Sequence, residues 1–391
     1  MYWNDANSIV FQGKEIIMKS KICVMTSVHK PFDVRIFHKQ CRTLIRRGYD
    51  VTLVAPYEKD EIIDGVKIKA VQKPVNRKQR FIKTGYQVYR RALKINADIY
   101  HIHDPELLPY AQLLRLHRKK VIYDMHENLP RDILTKKWIK PKKRKYLSNM
   151  VNIVERFLFR GLYIVFAETS YKKDYRWVNN WVDVLNMPDV GYLIGLDTDQ
   201  KYEPEAIAYV GGVSPDRGSM VMLEAIALLQ NKGLKCSFHC IGPADTEHQN
   251  ELKDKIENMQ LNDIYIYGYM VPTQAWEIIR KCHVGMAILK PDPNFLESYP
   301  TKLFEYMALG IPVITSNFPL YKEVVERNNC GYCVNPESIH DIADAMEYLL
   351  INPIEANMIG ANGKKAVIEK YNWEQEANKM LKMYSDLEGE Q

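Results

Sequence analysis

Twelve short apolar runs recur along the chain, separated by stretches of helical period. Six fall in the first half: KICVMTS from Lys21, VTLVAP, Val66–Val71, Asp98–Ile102, Val121–Met125 and Tyr163–Ala167. Six fall in the second: Ala206–Val210, Ser237–Ile241, Ile264–Tyr267, Val284–Leu289, Val313–Thr315 and Tyr332–Val334. Strands that alternate with helices need crossover connections, so they align in parallel and are covered on both faces. The two series are parted by residues 189–205, a mixed polar stretch with Gly191, Gly195 and Pro204. This pattern predicts an α/β chain of two Rossmann-like domains facing a cleft, with ligands at the carboxyl ends of the strands. The boundaries read as an extension over 1–17, a first domain over 18–188, a linker over 189–205, a second domain over 206–371 and an amphipathic helix over 372–391.

One stretch in the second series carries chemistry. In NFLESYPTKLFEYMALGIPVITS, Pro300 suits the first turn of a helix, Leu303, Phe304 and Met307 form its apolar face, and Gly310 closes it before a strand. Glu297 is expected in the loop before this helix, Lys302 in its first turn and Glu305 further along. Free N–H groups and an ammonium suit phosphate, and carboxylates on either side suit sugar hydroxyls. A nucleotide-sugar site is the expectation.

Glu297 and Glu305 are separated by seven residues, and PTKLFEYMALGIPVI resembles the P-N-K-L-F-E-Y-M-A-x-G-x-P-V-I run of bacterial polysaccharide-assembly members of the family 4 glycosyltransferases. Those are retaining enzymes of the GT-B fold. The resemblance implies transfer of a sugar from a nucleoside diphosphate sugar, a UDP-sugar foremost, to an acceptor hydroxyl. Hexosyl or N-acetylhexosaminyl transfer in capsule, exopolysaccharide or lipopolysaccharide assembly is the activity implied. It also implies retention through same-face attack, the leaving phosphate taking the acceptor proton, and a final helix that returns to the first domain.

By the same resemblance, Glu305 accepts from the ribose hydroxyls and Glu297 from the donor sugar. Ser298, Tyr299 and Thr301 complete that side of the donor site. The loop GGVSPDRGSM after Ala206–Val210 resembles the family's first phosphate loop. Gly211 and Gly212 allow close backbone approach, and Arg217 stands at the helix start. The second basic position usual in that loop falls on Gly212, and Lys302 is the candidate to supply the missing charge. Loss of one such donor costs ~2.7–4 kcal/mol of barrier where a diphosphate gathers charge. Tyr269 should meet the nucleobase.

In the first domain, YHIHDPELLP and VIYDMHENLP each follow a strand. His126 resembles the histidine that contacts the donor sugar, and His103 is a structural or acceptor-side support. SVHKPFDVRIFHKQ resembles the branch that reads H-x-P-x-D-x-R-I-F-x-K. His29, Asp33 and Arg35 are its acceptor-side candidates, although Asp33 can equally cap the helix and Arg35 pair with it.

Charge adds a partner class. Residues 1–200 hold 37 Lys and Arg against 21 Asp and Glu, a net +16, and the remainder holds 17 against 27, a net −10. In KKWIKPKKRKYLSNMVNIVERFLFRG the cations cluster ahead of an apolar stripe, Met150, Ile153, Val154, Phe157 and Leu158. The stripe fits either core packing or an anionic membrane interface. A lipid-linked glycan acceptor and a peripheral place on the inner face of the cell membrane are the corresponding expectations. FLFRGLYIVFA is too short to span and is broken by Arg160. No secretory signal is visible, and seven scattered cysteines fit buried thiols in a reducing cytoplasm.

Asp197–Thr198–Asp199 is a literal D-x-D, but it falls in the linker and is read as chance. No metal or other cofactor is expected, so activity should survive EDTA. Competing readings are a sugar-nucleotide epimerase of similar fold, a non-catalytic GT-B scaffold and a nucleic-acid binder. The last lacks an aromatic platform or a recognisable module.

Overall fold

The computed structural model describes residues 19–389 apart from 77, 78, 137 and 197–199. The 1–17 extension and the Asp197–Asp199 motif lie outside the described residues. The chain folds as two compact units. One holds the chain up to Ala167, Tyr175–Asp183 and the stretch from Lys379; the other holds Glu168–Asp174 and Val184–Asn378.

The first unit is built on a sheet of eight strands: β1 (Lys21–Met25), β2 (Asp50–Pro56), β3 (Glu61–Ile63), β4 (Val66–Val71), β5 (Ile99–Ile102), β6 (Lys120–Met125), β7 (Tyr163–Phe166) and β8 (Trp181–Asp183). Their order is β3-β4-β2-β1-β5-β6-β7-β8, all parallel except β3. The apolar runs of the sequence supply β1, β2 and β4–β7. β3 and β8 were not anticipated, because three residues are too short to show a period.

After β1 the chain turns into a helix over Val34–Cys41 that begins in π-helical form and continues as Arg42–Arg46. Asp33 caps it, one carboxylate oxygen accepting from Arg35 N and Ile36 N at 2.9 Å each. The capping role allowed for Asp33 is therefore the one observed.

The second unit carries β9 (Ala206–Val210), β10 (Ser237–Ile241), β11 (Ile264–Gly268), β12 (Val284–Ala287), β13 (Val313–Ser316) and β14 (Gly331–Val334). They form one parallel sheet in the order β11-β10-β9-β12-β13-β14. Alternation along β9 makes the two layers of the core. Ile207 and Tyr209 face a cluster with helix Ser219–Asn231, while Ala206 and Ala208 face one with Leu303, Phe304, Tyr306 and Met307 of helix Thr301–Ala308. The Tyr306 hydroxyl accepts from Val210 N at 2.9 Å and donates to Met286 O at 3.2 Å, which ties that helix to the ends of β9 and β12.

The last helix, Trp373–Gly389, is divided between the units at Asn378. In the second unit, Trp373 N donates to Pro188 O at 2.8 Å, and Glu376 accepts from Leu185 N at 2.8 Å. In the first, Met380, Tyr384 and Leu387 are fully buried, and the Tyr384 hydroxyl lies 2.7 Å from His101 Nδ1. The helix thus returns to the first domain, as the resemblance implied.

Among the described residues no helix is long and apolar enough to cross a membrane. All seven cysteines are free thiols, six of them buried and Cys333 half-buried.

Candidate functional site

In the second unit the carboxyl ends of β9, β10 and β11 open onto a cavity of about 310 Å³. Gly211, Gly212, Arg217, Tyr269, Thr301, Lys302 and Glu305 all line it. The candidates from the first phosphate loop and from the Thr301–Ala308 helix therefore share one wall. Gly242 also lines it and was missed by sequence. Gly211 has φ +122° and Gly242 φ +148°, and a Cβ at Gly242 would lie 1.7 Å from Gly211 O. Two strand ends meet so closely here that only glycine fits. A signal was present, since Gly242 follows its strand as directly as Gly211 follows β9.

Lys302 is the centre of this cavity. Its side chain is buried, and its Nζ has no hydrogen-bond partner among the described residues. The ammonium lies 3.7 Å from the centre of the Tyr209 ring and is directed at Gly211, where a Cβ would sit 3.1 Å from Nζ. Burial, with Arg217 adding to it, lowers its pKa from 10.5 to about 7. A buried cation without a counter-ion is costly, and an incoming anion removes the cost. Arg217 is the second cation, stacked at 5.3 Å on the ring of Phe295.

Glu297 is the last residue of a short helix, Pro293–Glu297, rather than in a loop, and the next helix begins after Pro300. Glu297, Ser298 and Tyr299 lie outside the lining of the cavity. Tyr299 instead packs edge-on against Phe304 at 5.6 Å, and burial raises its hydroxyl to about 12. Its assignment to the donor pocket is corrected to a packing role.

The first unit gathers the other candidates at the carboxyl edge of its own sheet. His29 follows β1, His103 follows β5 and His126 follows β6. Their hub is Asp124, which sequence reading passed over although it stands two residues before His126. Its buried carboxylate accepts from Arg35 Nε at 3.0 Å, Arg35 Nη2 at 2.9 Å and Gln40 Nε2 at 2.6 Å. Burial works against its charge, but Arg35, His126 and His103 hold the group well below the usual carboxylate range.

Arg35 is accordingly buried at 4% exposure, with its guanidinium paired to Asp124. Its acceptor-side assignment is corrected to an internal brace. His103 is also buried; it stacks on His101 at 4.6 Å, and its Nδ1 is 3.2 Å from His126 Nε2. Burial lowers the pKa of His126 and takes His101 down to about 4. The His126 side chain keeps 22% exposure, and His29 keeps 31% beside Asp33 and Asp104, each 3.5 Å away. His29 is raised through its hydrogen bond with Asp33, which is lowered to about 2: burial opposes that shift, and His29 with the helix N–H groups outweighs it.

His101, His103 and Asp124 bring ligand-type atoms within 4.8 Å of one another. The guanidinium of Arg35 already neutralises that carboxylate, so the arrangement disfavours a second cation.

Comparison with known proteins matches both parts of the chain separately. Residues 34–175 match the model "Glycosyltransferase Family 4", and residues 197–366 match "Glycosyl transferases group 1". The capsular polysaccharide biosynthesis glycosyltransferase CapM of Staphylococcus aureus is 25% identical over 180 residues, 43% of this chain and 44% of its own length. The poly(ribitol-phosphate) alpha-N-acetylglucosaminyltransferase of Staphylococcus aureus (strain COL) is 22% identical over 215 residues, 53% of this chain and 41% of its own. The match thus spans less than half the length of either relative.

Among solved structures, sucrose-phosphate synthase of Thermosynechococcus elongatus superposes with a TM-score of 0.72 at 14% identity, covering 95% of this chain and all of that one. Anabaena HepE in complex with UDP and glucose does so with 0.68 at 13%, covering 94% of this chain and all of that one. At such identities the likeness shows a shared fold. With two models matched in succession and the fold shared along nearly its full length, the chain belongs to the family 4 glycosyltransferases and has their two-domain GT-B fold.

Proposed function

We propose that this protein transfers a sugar from a nucleoside diphosphate sugar, with UDP as the preferred nucleotide, to an acceptor hydroxyl with retention at the anomeric carbon. The observation that carries this reading is Lys302, a buried ammonium without a hydrogen-bond partner among the described residues, directed at the Gly211 loop of a cavity that also holds Arg217 and Glu305. Two fixed cations at strand ends supply the charge that a diphosphate leaving group demands, which is why the reaction is proposed to need no metal. Glu305 accepts from ribose hydroxyls, as an ionised carboxylate can. The roles of Glu297 and His126 toward the donor sugar come from family resemblance and belong to the same proposal.

The acceptor is proposed to be a lipid-linked glycan of a surface polysaccharide, reached from the inner face of the cell membrane. Support comes from helix Pro141–Leu158. Ile153, Val154 and Phe157 are 68%, 51% and 63% exposed, so the apolar stripe is not core, and Lys142, Lys143, Arg144 and Lys145 precede it on the same helix. An apolar row beside concentrated cations fits an anionic lipid interface.

The test is a thermal-shift panel of UDP, GDP, ADP and TDP with EDTA present, followed by turnover with sugars of the nucleotide selected. A ligand at about 100 times its dissociation constant adds ~2.7 kcal/mol. UDP standing out without metal, with turnover reduced about 100-fold or more in Glu297→Ala and His126→Ala at unchanged UDP affinity, is the expected result. A shift that requires divalent metal, or full turnover in Glu297→Ala, overturns the reading.

A further inference from the structure

A cavity of about 660 Å³ in the first unit lies between β1, β2 and β4 of the sheet and helix Gly85–Ile95. It is separate from the histidine cluster: Lys21, at the amino end of β1, lines it, whereas His29 follows the carboxyl end. Lys67 and Lys69 enter from alternate positions of β4, on one face of the sheet. Arg90, Arg91 and Lys94 enter from the helix, which also contributes Tyr86 and Gln87. The spacing 86, 87, 90, 91, 94 is one helical face. Six cations from two strands and a helix thus meet in one groove, with Asp60 as the lone carboxylate among its described lining residues.

Internal bonding fixes part of this charge. Asp60 accepts from Ala70 N at 2.9 Å and ion-pairs with Lys69 at 3.1 Å and with Arg91, clamping the strand cation to the helix cation. Lys67 is held by Asp50 at 2.6 Å, and Lys21 donates to Ile95 O at 2.8 Å. Arg90 and Lys94 make no ion pair among the described residues, and the guanidinium of Arg90 lies 5.9 Å from the Tyr86 ring centre.

Two further groups point to what the groove takes. The side-chain oxygen of Gln87 is buried without a hydrogen-bond partner among the described residues, an acceptor that wants a hydroxyl. The Tyr86 ring is 49% exposed beside it and offers a flat apolar face of the kind on which a sugar ring rests.

We propose that this groove is a second, non-catalytic site that binds an anionic saccharide, a chain of hydroxylated units bearing phosphate, sulfate or carboxylate groups. Cations spread along a groove match charges spaced along a chain, and the Asp60 clamp positions Lys69 and Arg91 before any ligand arrives. The inference is independent of the transfer reaction, since binding is measured without turnover.

The experiment titrates the whole protein, at physiological salt, with three fluorescent probes. They are a sulfated uronic-acid octasaccharide, a phosphodiester-linked polyol oligomer and a neutral dextran oligosaccharide. Both anionic classes, or one of them, should bind and the dextran should not; which one binds identifies the anion. Arg90→Glu with Lys94→Glu should weaken that binding at least tenfold while thermal stability and the response to UDP stay unchanged. These two side chains are exposed and outside the Asp60 clamp, so the variant keeps its fold. Lys142→Glu with Lys143→Glu, elsewhere in the same basic unit, should have little effect. The proposal is overturned if neither anion binds, if the dextran binds as well, or if the groove variant loses no more affinity than the control variant.

Discussion

Lys302 is the residue on which the donor site turns, and its lowered pKa makes a measurable prediction. In the free protein its ammonium and amine forms are balanced near pH 7, while a bound diphosphate stabilises the ammonium. At pH 8 UDP should therefore take up close to one proton on binding, read by calorimetry in buffers of different ionisation enthalpy. Affinity should fall as pH rises from 7 to 9, and Lys302→Met should abolish both the uptake and the slope. Glu155 makes a prediction of the opposite kind. It is buried, its pKa raised by that burial from 4.5 to about 7 although the Tyr175 hydroxyl, donating at 2.8 Å, opposes the shift. Its protonated form is favoured in the folded state, so its contribution to stability is complete below pH 4.5 and lost as pH rises through 7. Glu155→Gln should raise stability at pH 8 by up to about 3 kcal/mol and leave it unchanged at pH 4, measured by urea unfolding at each pH. Neither shift was legible in the sequence. Lys302 stands out for its charge and place in a motif, but its burial depends on Tyr209 and Gly211, some ninety residues away in the chain. Arg35 was misjudged for a similar reason: its partner, Asp124, lies on another strand.

Elements were read more securely than side chains. A parallel strand covered on both faces is a continuous apolar run, so the longer strands stood out, while β3 and β8 offer three residues each and no pattern. The amphipathic period of Pro141–Leu158 was equally visible, yet period alone does not say whether a face is covered, and only exposure showed that Ile153 and Phe157 are bare. The final helix shows what one such element contributes. Tyr384 is fully buried with its hydroxyl on His101 Nδ1, so Tyr384→Phe leaves a buried imidazole nitrogen without its partner. Chemical denaturation should show the first unit losing about 1–3 kcal/mol, with UDP binding by the second unit retained.

At the scale of the molecule, charge separates the halves more sharply than composition does: +16 before residue 200 and −10 after. Vesicles with anionic lipid should carry the protein down at low salt and release it at high salt, and Ile153→Ser with Phe157→Ser should weaken the capture without altering UDP binding. Equal capture by neutral vesicles would sink the membrane reading. The division of Trp373–Gly389 between the units also bears on how the protein is made. A ribosome finishes the strands of the first sheet some two hundred codons before it reaches Met380, Tyr384 and Leu387, which are fully buried in the same unit. Domains that fold in order of synthesis do so because each is complete when it appears, and this one is not. The strands of that sheet wait, with an apolar surface uncovered, for the helix that completes them.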